Sequence, residues 1–157
     1  MSLESAVGAA VRLRESLARE VEAARGERVL LRKLDSQALL TRAAERAHFL
    51  ARTAQQEREL ADALSGAAQA LGLQQVTVAS LTRASPRLGA QLSDVLGQIR
   101  ALAGALRELD QLNASLAQRA LSCVRGYVEA LAPTPRAYDR GGLRADARAL
   151  VSVSSRA

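Results

Sequence analysis

The sequence has few of the residue types on which many classes of protein depend. Its 157 residues include no tryptophan, one phenylalanine, two tyrosines, one histidine and one cysteine. Because strands are enriched in aromatic and β-branched side chains, this composition argues against a β-rich fold. A single cysteine excludes an intramolecular disulfide and favours a reducing compartment. With one histidine, His48, and no metal-ligand spacing, the sequence predicts no metal site.

Long apolar runs and catalytic constellations are also missing. No stretch reaches the roughly 18 apolar residues of a membrane-spanning helix, and the first residues lack the basic and apolar regions of a signal peptide. We therefore expect a cytoplasmic protein without direct membrane insertion. The acidic residues are spread along the chain instead of being paired near a nucleophile, and Glu57 is the only candidate for a buried carboxylate. We expect no catalytic residue, no cofactor and no enzymatic activity.

The net charge of +6 would suit nucleic acid or an anionic membrane. In the N-terminal half, however, basic and acidic residues are interspersed, as at residues 12–15 and 19–22, which is typical of a solvated helix face. Binding to single strands also requires stacking aromatic side chains, of which the chain has few. We expect no nucleic-acid partner.

Alanine, leucine and arginine dominate instead, and the apolar residues recur with helical spacing. The longest stripe lies in residues 86–132 and advances in steps of three and four: Leu92, Val95, Ile99, Leu102, Leu106, Leu109, Asn113, Leu116, Ala120, Cys123, Tyr127 and Ala130. It predicts one helix roughly 65–70 Å long at about 1.5 Å per residue. A stripe of that length exceeds what a compact neighbour covers, so part of it should await another chain.

Two helices precede it. The first should span residues 2–33, with the stripe Leu3, Val7, Ala10, Leu13, Leu17, Val21, Ala24 and Leu31. The second should span residues 36–71, with the stripe Leu40, Ala43, Ala47, Leu50, Ala54, Glu57, Ala61, Leu64, Ala68 and Leu71. The short turn at residues 34–36, where Asp35 or Ser36 can cap the second helix, makes the pair an antiparallel hairpin.

Local signals predict the rest of the fold. Gly72 should end the second helix, Thr77 should cap a short connector helix over residues 78–83, and Pro86 should begin the long helix. A lone strand at residues 76–78 is the less favoured alternative. The fold class is therefore all-α: residues 1–132 form a coiled-coil-like bundle of the hairpin and the long third helix. Residues 133–157 form a flexible basic tail.

Two positions on the long stripe are informative. A single Asn on an apolar seam, Asn113, either pairs with the hairpin or bonds to a partner helix, and in both cases it disfavours wrong registers. Cys123, on the same stripe, is expected to be a small core residue.

Residues 108–124 resemble the late helix of the FlgN family of flagellar type III export chaperones. That helix tends to contain Asn-x-x-Asn-x-x-Leu-Leu-x-x-Ser-Leu followed by an apolar residue, and four positions match it: Asn113, Leu116, Leu121 and Val124. Asp110, Ala117 and Ala120 depart from it. The order of elements agrees, and residues 138–142 are similar to the Tyr-x-x-x-Gly stretch that tends to follow the third helix. The resemblance covers about residues 3–142.

The resemblance implies a non-enzymatic cytoplasmic chaperone. It would bind the C-terminal helical segments of flagellar hook-filament junction proteins and deliver them to the export gate membrane protein. The substrate-binding residues expected from the resemblance and the stripe together are Leu106, Leu109, Asn113, Leu116, Ala120, Leu121, Val124 and Tyr127. The resemblance also implies export-gate docking by Tyr138.

Two other interpretations compete with this one. A structural coiled-coil protein that self-associates, for example as a homodimer, explains the stripes equally well. A basic helical protein on nucleic acid explains only the charge.

Overall fold

The computed structural model describes residues 2–73, 75, 77–131, 137–138 and 144–145, the last four through their backbone alone. The elements are α1 (Leu3–Lys33), α2 (Ser36–Ala70), α3 (Val78–Ala84), α4 (Pro86–Leu131), β1 (Ala137–Tyr138) and β2 (Arg144–Ala145). The predicted all-α class is confirmed. The chain divides into two compact units, Met1–Ala120 and Leu121–Ala157, which are described in turn.

In the first unit, α1 and α2 form the predicted antiparallel hairpin. Contacts between them join residues that lie at similar distances from the turn, such as Arg12 with Glu59 at 3.9 Å. The turn depends on Leu34, which adopts a left-handed conformation with φ 55°. Asp35 then caps α2, because its Oδ1 accepts a hydrogen bond from the Ala38 N–H at 3.0 Å. The sequence had identified Asp35 as one of two candidate caps.

The connection from α2 to α4 has the predicted helix end and helix cap. Gly72 follows the end of α2 with φ 65°, and Thr77 and Ser80 form a capping box at the start of α3. Gly89 on α4 lies directly against α3, since a Cβ atom there would be 2.3 Å from the Thr82 Cα. Only glycine permits that approach.

The third long helix, α4, runs parallel to α1. Arg14 donates a hydrogen bond to Gln98, and further along both helices the Asn113 side chain bonds to the Ala24 carbonyl. Together α1, α2 and α4 form an up-down-up bundle, as expected for a hairpin followed by a crossover connection.

Helix α1 is the centre of the core. Every residue of its predicted stripe is buried, and so are Ala6, Ala9, Ser16 and Glu20 beside the stripe, because α2 and α4 cover different sides of the helix. On α4 the predicted stripe is also the inward face: Leu92, Val95, Leu106 and Asn113 are buried, and Ile99, Leu102 and Leu109 pack against the core.

The predicted stripe of α2 is wrong by one position over most of its length. The inward face consists of Leu39, Arg42, Arg46, Phe49, Thr53, Gln56, Leu60, Ala63 and Ala67, whereas Leu40, Ala43, Ala47, Leu50, Glu57, Ala61 and Leu71 are exposed. Of the other predicted members, Ala68 is buried, Leu64 packs against the core and Ala54 is half-buried. The physical reason is that two arginines of the inward face are neutralised by carboxylates. A search for apolar spacing excludes such residues from the core.

The second unit contains the last residues of α4 and a short strand pair. Each of residues 121–131 is exposed, including Cys123, so the expectation that this cysteine lies in the core is wrong. The strands pair antiparallel, Ala137 with Ala145 and Tyr138 with Arg144, and were not predicted because two residues are too few for an alternating pattern. The predicted tail otherwise lies outside the described residues, and its flexibility and boundary stay predictions.

Across the described residues, no helix has both the length and the hydropathy that crossing a membrane requires.

Candidate functional site

The last eleven residues of α4 present an exposed apolar face. We call the C-terminal apolar face the set Leu121, Val124, Val128 and Leu131, whose steps of three, four and three residues place them on one side of the helix. Their side chains are 57%, 44%, 63% and 80% exposed, respectively. Large apolar side chains repeated along one side of a helix are normally covered. This face therefore has the character of a protein-binding surface.

A shallow cavity of about 290 Å³ lies beside this face. It is lined by Cys123, Gly126, Tyr127 and Ala130. The missing side chain at Gly126 opens space next to the exposed Tyr127 ring, so a partner side chain has room to pack against the aromatic ring.

The substrate-binding residues predicted from the sequence fall into two groups. Leu121, Val124 and Tyr127 are exposed and accessible to a partner. Leu109, Leu116 and Ala120 are half-buried, and Leu106 and Asn113 are buried. The last two hold α4 in the bundle, since Leu106 belongs to the core and Asn113 bonds to α1.

Sequence reasoning missed Val128 and Leu131. Both lie off the long stripe, which passes through Tyr127 and Ala130 at this end of the helix. The signal that could have found them is a second repeat with the same spacing, which begins at Leu121.

A network of ion pairs joins the three long helices. Glu20 on α1 is buried and accepts hydrogen bonds from Arg42 and, at 2.9 Å, from Arg46, both on α2. Arg46 also contacts Asp110 on α4 at 2.5 Å. Glu20 lies 15 residues before Asp35, whereas Arg42 and Arg46 lie 7 and 11 residues after it, so matching distances from the turn would not have found these pairs. Such a network opposes slippage of one helix along another.

The network changes the pKa of Arg46. Burial alone would lower the pKa of its guanidinium, but the hydrogen bond and charge of Asp110, with the charge of Glu20, raise that pKa above its ordinary value. A group whose pKa is higher in the folded state stabilises the fold fully when the pH is below its unfolded-state pKa. That stabilisation is lost only as the pH rises through the folded-state pKa. Arginine titrates far above neutrality, so this contribution is constant in the physiological range.

The Asn113 side chain bonds to the hairpin, which confirms the first of its two predicted interpretations, and one of its polar atoms has no hydrogen-bond partner among the described residues. Its Nδ2 donates a hydrogen bond of 2.9 Å to the Ala24 carbonyl oxygen. The residue is 4% exposed, and its Oδ1 has no hydrogen-bond partner among the described residues.

Helices α2 and α4 border a cavity of about 360 Å³ next to this amide. We call it the α2–α4 groove, and its lining consists of Leu39, Arg42, Ala43, Arg46, Asp110, Asn113, Ala114 and Ala117, with Glu27 from α1. Small alanine side chains form much of its wall, and charged groups lie along its length.

The other expected features are located as follows. Within the described ranges, no three His, Cys, Asp or Glu side chains are grouped so that they could hold a metal ion. His48 and Glu57 are exposed on α2. Tyr138 lies in β1, where it pairs with Arg144 of β2.

The chain matches a known family over most of its length. The family model described as FlgN protein matches residues 1–145, a range that includes all four helices and both strands. No curated protein and no solved structure matches the chain.

Proposed function

The chain belongs to the FlgN family, a family of flagellar export chaperones, and we propose that its clients are the hook-filament junction proteins. In this proposal it binds their C-terminal helical segments in the cytoplasm and delivers them to the export gate membrane protein. Binding and delivery require no catalytic chemistry.

The observation that carries the client-binding proposal is the C-terminal apolar face. Segments that later form a coiled coil have an apolar stripe of their own, which aggregates when it is left uncovered. An amphipathic client helix can cover its stripe by packing against Leu121, Val124, Val128 and Leu131. Full burial of an exposed leucine or valine contributes about 1.5–3 kcal/mol, and the four side chains, which are 44–80% exposed, contribute in proportion to the area that is still open.

In this proposal, only some of the substrate-binding residues predicted from the sequence contact the client directly. Leu121, Val124 and Tyr127 contact the client directly. Leu109, Leu116 and Ala120 extend the contact as far as their exposed atoms allow. Leu106 and Asn113, which are buried, act by holding α4 in place.

Client capture by charged variants tests the proposal. Leu121→Asp and Val124→Asp should each weaken capture of purified hook-filament junction proteins by about tenfold or more, because each removes the burial of an apolar side chain. Ser122→Asp is the matched control, since it adds the same charge to the same exposed segment but lies off the face. Capture that is unchanged in both face variants would place the client elsewhere.

A second control separates binding from folding. Leu106→Asp places a carboxylate in the core, so it should lower the helical content measured by circular dichroism together with client capture. The two face variants should keep wild-type helicity.

We propose further that Tyr138 docks on the export gate. The support is the match of residues 138–142 to the Tyr-x-x-x-Gly pattern of the family, and the position of Tyr138 in a paired strand gives its backbone a defined conformation.

A self-associating structural protein is the second candidate, because the C-terminal apolar face could equally pair two copies of the chain. The mass in solution distinguishes the two. A monomer that forms a complex with added junction protein supports the chaperone, whereas a dimer that excludes the junction protein supports the structural alternative.

A further inference from the structure

The α2–α4 groove combines a buried acceptor, an excess of carboxylates and small apolar walls. We propose that it binds a cationic side chain, an arginine or a lysine, presented by a polypeptide ligand. The identification of that polypeptide as the client rests on the proposed function, whereas the recognition of a cation by the groove does not.

The acceptor is the Oδ1 atom of Asn113. Its orientation is fixed, because the Ala24 carbonyl oxygen can only accept a hydrogen bond and the Asn113 NH₂ group must therefore face it. The oxygen is left buried without a partner in the part of the chain that the structure describes. A buried acceptor without a donor is unfavourable. Asn113 lines the groove but its Oδ1 is closed off from solvent, so an N–H group entering the groove satisfies it once the amide shifts toward the groove.

The charges favour a cation over an anion. Both guanidinium groups on the groove wall are already engaged in ion pairs, Arg42 with Glu20, Glu27 and Glu45, and Arg46 with Glu20 and Asp110. Four carboxylates thus pair with two guanidinium groups, which leaves two negative charges in excess. An anion would meet only guanidinium groups that already lie in ion pairs, whereas a cation would balance the cluster.

The walls suit the aliphatic part of an arginine or lysine side chain. Leu39 and Ala43 lie on one side and Ala114 and Ala117 on the other. Long basic side chains pack their methylene groups on such surfaces while the charged end reaches polar partners. The volume of about 360 Å³ is within the range of ligand pockets, about 300–1,000 Å³.

A titration with a small cationic probe tests this directly. N-acetyl-arginine amide, added at millimolar concentrations to the isotope-labelled full chain, should cause saturable NMR shifts of the Asn113 side-chain NH₂ and of the Ala114 and Ala117 amides. The citrulline analogue has the same shape and N–H donors but no charge, and it should bind several-fold more weakly. Equal shifts with both probes, or none at these residues, would overturn the proposal.

Two variants connect the shifts to the groove. Glu27→Gln removes one carboxylate while keeping the shape of the side chain, and it should weaken arginine binding several-fold. Asn113→Leu removes the free acceptor and suits an apolar seam, so it should keep wild-type helicity and lose the saturable shifts. Wild-type binding by both variants would contradict the assignment. The titration contains no client, so its failure would not contradict client capture by the C-terminal apolar face. A failure of client capture would likewise not contradict cation binding in the groove.

Discussion

Gly89 and Gly97 both belong to α4, but their surroundings are opposite. A Cβ atom on Gly89 would overlap the backbone of Thr82, whereas a Cβ atom on Gly97 would meet nothing within 4 Å. The backbone of α3 cannot move aside as the end of a flexible side chain can. The two positions therefore separate the effect of close packing from the intrinsic preference of a helix.

Alanine at each position should change stability in opposite directions. Gly89→Ala should lower the free energy of unfolding by about 1–3 kcal/mol, as overpacked substitutions do. Gly97→Ala should raise it by about 0.5–1 kcal/mol, because alanine is the better helix former. Urea unfolding followed by circular dichroism measures both, and a stable Gly89→Ala variant would show that α3 is not held against α4.

Asn113 and Cys123 show what spacing can predict about a residue. Both lie on the same stripe, which fixes the side of the helix from which they project. Burial also requires a neighbour at that point along the helix, and spacing carries no information about the neighbour. Asn113 faces α1 and is buried, whereas Cys123 is exposed.

At the scale of elements, α1 and α4 were predicted correctly because their inward faces are nearly all aliphatic. The inward face of α2 is not. Arg42, Arg46, Thr53 and Gln56 lie on it, and the adjacent line of leucines and alanines gave a cleaner but misleading pattern. An arginine in the core becomes favourable only when a carboxylate accompanies it, and that carboxylate belongs to another helix. The register of α2 therefore could not be found from α2 alone.

Two adjacent residues test this register. Phe49 is 4% exposed and Leu50 is 56% exposed, although the predicted stripe contained Leu50. Phe49→Ala should lower the free energy of unfolding by about 3–5 kcal/mol, whereas Leu50→Ala should change it by less than about 0.5 kcal/mol. Thermal or denaturant melts measure the difference, and the reverse order would restore the predicted stripe.

At the scale of the whole molecule, stability and delivery should be separable. Every buried residue identified in the described part of the chain precedes residue 114. A chain that lacks residues 133–157 should therefore keep the melting temperature and client capture of the full chain, but it should lose binding to the export gate. Calorimetry and pull-down with the purified gate protein measure these properties.

Tyr138→Ala is the matched point variant for this deletion. If Tyr138 docks on the gate, the substitution should reproduce the loss of gate binding while the remaining tail is present. A lowered melting temperature in the deletion would instead show that residues 133–157 stabilise the helices.

The candidate site was only partly predictable, because part of it is formed by residues from different helices. The spacing located α4 as the candidate binding helix and identified Tyr127, since apolar residues on a long helix are visible in a sequence. Leu121 and Val124 came from the resemblance to the FlgN pattern. The α2–α4 groove was not visible, because its wall brings together residues as far apart as Glu27 and Ala117. Its charges become a site only when three helices are assembled.

The coverage of α1 by both α2 and α4 has a consequence for synthesis. Chains leave the ribosome from the N-terminus, so α1 is made first but cannot be fully enclosed until α4 has been made as far as Asn113. Residues 121–131 are translated later still. The surface proposed for clients therefore emerges only on a chain that already contains every buried residue of its own core.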